Sequence, residues 1–139
     1  MAWVSLAGGI ALANAGLGAV HALAGVIGGM TGAAHGAICG TLLPFVLQAN
    51  ARALPPGHPT APRFAEVEAM LSAAFGPGLG SMALHKWSRK AGLPGLRALG
   101  LRPDDHASIA VAAITASSMM GNPVALNLAD LCAVLAAAS

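Results

Sequence analysis

The 139 residues are 56% hydrophobic and only 9% charged, and the formal net charge is +2. The length supports one domain with a proper core, and the composition excludes a disordered chain. So small a basic surplus gives no reason to expect a nucleic-acid partner.

No Asp, Glu, Lys or Arg occurs before Arg52. Residues 2–26 and 34–50 therefore have the length of membrane spans, for which about 20 apolar residues suffice. They are rich in Ala and Gly rather than in Leu, Ile and Phe, which makes membrane transfer weak. The first segment carries no flanking cation and, apart from Trp3, no aromatic belt, and its start has no basic signal-peptide region. A buried helical hairpin at the centre of a bundle accounts for the same charge-free stretch, and no membrane is expected. Cys39 and Cys132 match no Cys-x-x-Cys metal spacing. They read as small buried apolar side chains in a reducing, cytoplasmic setting.

Strand signals are nearly absent, with no Tyr and three Phe, so the predicted class is all-α, a helical bundle. Residues 2–14 read as a buried helix broken near Gly16–Leu17–Gly18, and a second short helix carries His21 in its middle. Gly25, Gly28, Gly29 and Gly32 predict a flexible turn. A helix from Ala34 to Ala53 should kink or restart near Pro44. Pro55–Pro56–Gly57–His58–Pro59 is an exposed connection, so a break between two lobes of one domain (1–139) is expected near 54–62.

Beyond it, Phe64, Val67, Met70, Leu71 and Ala74 recur at helical spacing, placing one face in the core and the Glu66/Glu68 side in solvent. Thr60 is the expected N-cap, with Pro62 in the first turn. The helix at 80–91 ends on Lys86, Arg89 and Lys90 before Gly92, cations where the helix dipole favours them and then a stop. Pro103–Asp104–Asp105 opens a helix expected to reach Met119. Asn127 and Asp130 form a capping-box pair ahead of the stripe Leu128, Leu131, Cys132 and Leu135. His58, His85 and His106 read as solvated.

His21 and His35 are the only histidines before Arg52. A turn between them can bring a mid-helix imidazole and one at the start of the next helix to a common point, and neutral imidazole suits iron and zinc alike. Spacing alone leaves the ordinary alternative open, a buried histidine bonded to a backbone carbonyl.

The neighbouring residues add to this. Ala15–Gly16–Leu17–Gly18–Ala19–Val20–His21–Ala22–Leu23–Ala24, the glycine-rich turn, and Ala34–His35–Gly36 resemble the signature of the iron-containing (group III) alcohol dehydrogenases. In that family Gly-Leu-Gly-x-x-His-x-x-(Ala)-His leads, after a turn, to Pro-His-Gly and an apolar helix ending in Asn. Here that helix is Ala37 to Asn50. Ser117–Ser118–Met119–Met120–Gly121–Asn122–Pro123 resembles the family's closing segment.

The resemblance implies the helical C-terminal domain of a dehydroquinate synthase-like fold, whose metal, usually Fe(II) and sometimes Zn, polarises an alcohol or aldehyde oxygen during hydride transfer with NAD(P). It implies His21 and His35 as metal ligands, two of four.

The other two, an Asp-x-x-x-His pair, have no match in these residues and are expected upstream of Met1. The family's histidine four residues after His21 is Gly25 here, and Ala34 stands for the usual proline. No strand precedes Gly16–Leu17–Gly18 and no third glycine follows, so these residues offer no dinucleotide site. The resemblance implies an N-terminal Rossmann-like domain that holds the cofactor, expected to be absent from these 139 residues. No catalytic residue is assigned within these 139. The expectation is a metal-binding domain of an NAD(P)-dependent alcohol dehydrogenase, inactive alone, with a cofactor domain or a homo-oligomer as partner. The alternative is a non-enzymatic helical homo-oligomerisation module derived from that family.

Overall fold

A computed structural model describes all residues from Met1 to Ser139. Seven α-helices follow one another: α1 (Ala2–Ala15), α2 (Ala19–Thr31), α3 (His35–Ala53), α4 (Ala61–Phe75), α5 (Gly80–Lys90), α6 (His106–Ile114) and α7 (Leu128–Ala138). Two 3₁₀ segments, Pro103–Asp105 and Ser117–Gly121, complete the regular structure, and there is no strand. The all-α expectation holds.

The glycines sort differently from the sequence reading. Gly25, Gly28 and Gly29 lie inside α2, and only Gly32 makes the turn, with φ of 70° and its N–H donating to the Gly28 carbonyl. Packing on α3 and α6 holds those glycines helical against their weak propensity. α3 runs through Pro44 without restarting, and burial of that proline in the core offsets the lost backbone donor.

α3 is the central element. On one side it packs with α2 and α7, which α6 joins; on the other it meets α5, which pairs with α4. Leu23, Ile27, Ile38, Leu42, Leu96, Leu101, Ile109, Leu131 and Leu135 are fully or almost fully buried, and the main core contains no residue from 55 to 95. The segment leading to α6 is tied in by backbone and side chain: Leu96 N–H donates to the Ala138 carbonyl at 2.9 Å, and Thr41 Oγ1 donates to the Pro94 carbonyl at 2.9 Å.

Further details depart from the periodicity. No residue of α1 is buried, against the expected central hairpin. The helix turns away from α2 at 106°, and its apolar residues circle it so evenly that sequence assigns no inner face. No single helix is long and apolar enough to cross a membrane, although the bent pair α1 and α2 is apolar enough when taken together.

α4 buries none of its residues fully, and Met70 is 57% exposed. Thr60 occupies the N-cap position without a side-chain hydrogen bond. Glu68 turns inward, its carboxylate accepting from the Ser81 N–H at 2.8 Å, because the first turn of α5 offers unpaired donors there. The helix expected to reach Met119 ends at Ile114.

Candidate metal centre

Three segments far apart in sequence meet beneath His21. Gly18 caps α2 in an extended conformation, and the Asn122 side chain supplies what glycine cannot: its Oδ1 accepts from the Ala19 N–H at 3.1 Å. Asn122 also donates to Asn50 Oδ1 and to the Val124 carbonyl, each at 2.8 Å. A Cβ at Gly18 would sit 2.9 Å from Asn122 Oδ1, and one at Gly121 would run into the Leu17 carbonyl. The glycines on both strands of this junction are therefore required by close approach. Sequence reading placed Gly18, Asn50 and Asn122 in separate motifs and missed their union.

His21 lies in the first turn of α2, not mid-helix, and His35 is the first residue of α3. Gly32 reverses the chain, and Ala34 is extended. The two imidazole rings come within 5.5 Å, centroid to centroid, tilted by 46°. His21 is half-buried and His35 exposed.

A third group joins them. Cys39 is one helical turn beyond His35, on the same face of α3, and its Sγ lies 3.4 Å from His35 Nε2. One ligand-type atom from each of His21, His35 and Cys39 falls within 4.8 Å of the others. Cys39 is half-buried, not a core residue, and burial pushes its thiol pKa up. The His-x-x-x-Cys spacing at a helix start was the signal that could have singled it out.

The donor set suits a borderline or soft divalent ion such as Zn(II) or Fe(II) better than Mg(II) or Ca(II), which take oxygen. The residues present thus match the chemistry of the metal the family resemblance implies. Gly25, where the family has a further histidine, is exposed, and a Cβ there meets nothing within 4 Å.

Beside this cluster opens a cavity of about 620 Å³ between α1, α2 and α3. Leu12, Leu43, Leu47 and Phe64 make its walls apolar, His21 and Cys39 reach it from one side, and Asn50 and Asn122 lie in its lining.

The remaining histidines are less solvated than expected. His58 Nδ1 accepts from the Thr60 N–H. His85 packs edge-on against Phe45 with ring centroids 4.9 Å apart. His106 Nε2 is 3.4 Å from Ser139 Oγ. Each is half-buried, and none lies in the cluster with His21 and His35.

Comparison with known proteins matches residues 1–139 to the C-terminal part of the Fe-containing alcohol dehydrogenase family. The chain belongs to that family. It is 31% identical to 1,3-propanediol dehydrogenase of Klebsiella pneumoniae, across 96% of the chain and 35% of that protein. It is 34% identical to the Citrobacter freundii 1,3-propanediol dehydrogenase, across 88% and 32%. Among solved structures, alcohol dehydrogenase from Oenococcus oeni superposes with a TM-score of 0.77 at 28% identity, covering 94% of the chain and 35% of that structure. A 1,3-propanediol oxidoreductase gives 0.72 at 27%, with the same coverage. The chain spans about a third of the length of these relatives.

Proposed function

We propose that these residues form the metal-binding domain of an iron-containing, NAD(P)-dependent alcohol dehydrogenase, acting on small alcohols and aldehydes. The meeting of His21 and His35 at 5.5 Å carries the reading. The metal, when bound, supplies a Lewis acid for the alcohol or aldehyde oxygen. In this chain His21 and His35 hold the ion, and the Asn122–Asn50 pair fixes the helix start from which His21 projects. The apolar cavity walls exclude water and receive the carbon chain of the substrate.

Hydride transfer needs a nicotinamide, and nothing in the fold offers the strand and glycine turn that cradle a pyrophosphate. The 139 residues alone are therefore expected to show no aldehyde-dependent NADH oxidation. Activity should appear when they are joined to, or mixed with, the cofactor-binding part of a family member, and His21→Ala should remove it. Full activity of His21→Ala in the reconstituted enzyme would refute the reading.

The exposed apolar side chains around α1, with Trp3, Val4, Leu6, Ile10 and Leu12 all about half exposed or more, support a second reading, a helical homo-oligomerisation module. An assembly that is indifferent to chelators and never reconstitutes activity would favour it.

A further inference from the structure

We propose that Cys39 is a protein ligand to the metal, so that His21, His35 and Cys39 together hold a thiophilic divalent ion within this chain. The proposal rests on the metal-domain reading above and deepens it.

A catalytic metal site needs three protein ligands and one open position. The two histidines of this chain fall short of that by themselves, and a sulfur lies beside them. Bonds of about 2.0–2.1 Å to nitrogen and about 2.3 Å to sulfur set ligand–ligand edges of roughly 3.3–3.6 Å in a tetrahedral site. The Cys39 Sγ to His35 Nε2 separation of 3.4 Å is already such an edge. The largest separation in the trio, no more than 4.8 Å, closes by about 1 Å through side-chain rotation. His35 has the freedom for it, being exposed at the first position of its helix. His35 and Cys39 share one rigid turn of α3, and His21 comes from α2, so the trio joins the two helices as well as holding the ion.

His21 and Cys39 both line the apolar cavity, so an ion held by them would be open to that space. A His₂Cys set selects zinc and its surrogate cobalt over magnesium or manganese, since thiolate favours softer ions.

Cobalt(II) titration of the 139-residue chain tests this directly. The wild type should bind one Co(II) with a thiolate-to-cobalt charge-transfer band in the near ultraviolet and the strong visible bands of four-coordination. Zn(II) should displace it. Cys39→Ser, checked by circular dichroism for unchanged helix content, should lose the ultraviolet band and bind more than about 10-fold more weakly, the least that disturbing even an outer contact of a metal site costs. If Cys39→Ser binds as tightly as the wild type, and the wild type shows no charge-transfer band, Cys39 is not a ligand. His21→Ala weakening cobalt binding in that event leaves the metal-domain reading standing. Failure of the wild-type chain to bind Co(II) at all also overturns the role of Cys39, and reconstitution with the cofactor part then judges the domain reading separately.

Discussion

Asn122 makes four side-chain hydrogen bonds, to Ala19, Val124 and twice to Asn50, while Asn50 is only 4% exposed. Removing it strands a buried amide and a helix-start N–H together. Asn122→Ala should cost about 2–3 kcal/mol, read by urea denaturation, and should loosen the placement of His21.

His85 makes a different kind of test. Burial beside Phe45, then the nearby Arg89 cation, lowers its pKa from the ordinary 6.5. The unfolded chain therefore takes the proton more readily than the folded one. The contribution of His85 is present above about pH 6.5 and is lost as the pH falls through its folded value. His85→Gln should flatten the decline in melting temperature between about pH 7 and about pH 5. An unchanged slope would assign the acid sensitivity to other groups.

Elements meet here through small residues, and the same substitution has opposite signs at two of them. Gly80 opens α5 against α4, where a Cβ would come within 2.7 Å of Leu71 Cβ and 2.8 Å of Ser72 N and would run into the Glu68 carbonyl. Backbone cannot yield as a side chain does, so Gly80→Ala should destabilise by about 1–3 kcal/mol. Gly25 has open space and ordinary helical backbone, so Gly25→Ala should stabilise by roughly 0.5–1 kcal/mol. Thermal melts of the pair check both signs. Local chemistry still governs some ends: α7 begins with the complete Asn127–Asp130 capping box, and Gly92 follows the basic last turn of α5 with φ of 95°.

At the level of the molecule, one core spans α2, α3, α6 and α7, α4 and α5 lean on its flank, and α1 lies outside it. Leu6 and Ile10, one turn apart on α1 and each 56% exposed, contribute little to that core. The double variant Leu6→Glu, Ile10→Glu should unfold at nearly the wild-type temperature, since surface changes usually move stability by less than about 0.5 kcal/mol. If α1 mediates association, the same variant should shift the scattering mass toward monomer.

Helix class, the break at Gly16–Gly18, the cap of α7 and the stop after α5 were legible because each depends on residues within a turn or two of one another. The approach of His21 and His35 was legible for a related reason, since one short turn separates their helices. Other features depend on which faces meet. α1 and α2 are similarly apolar, yet one is bare and the other buried. Glycines of turn-like composition stay helical in α2, Glu68 turns inward to an unpaired N–H, and Asn122 reaches across 103 positions to Ala19. Cys39 stands one turn from His35 by local spacing, but its meeting with His21 depends on the angle at which α2 and α3 pack. Composition and local spacing carry no record of that angle, because it arises from side chains interlocking across the whole core.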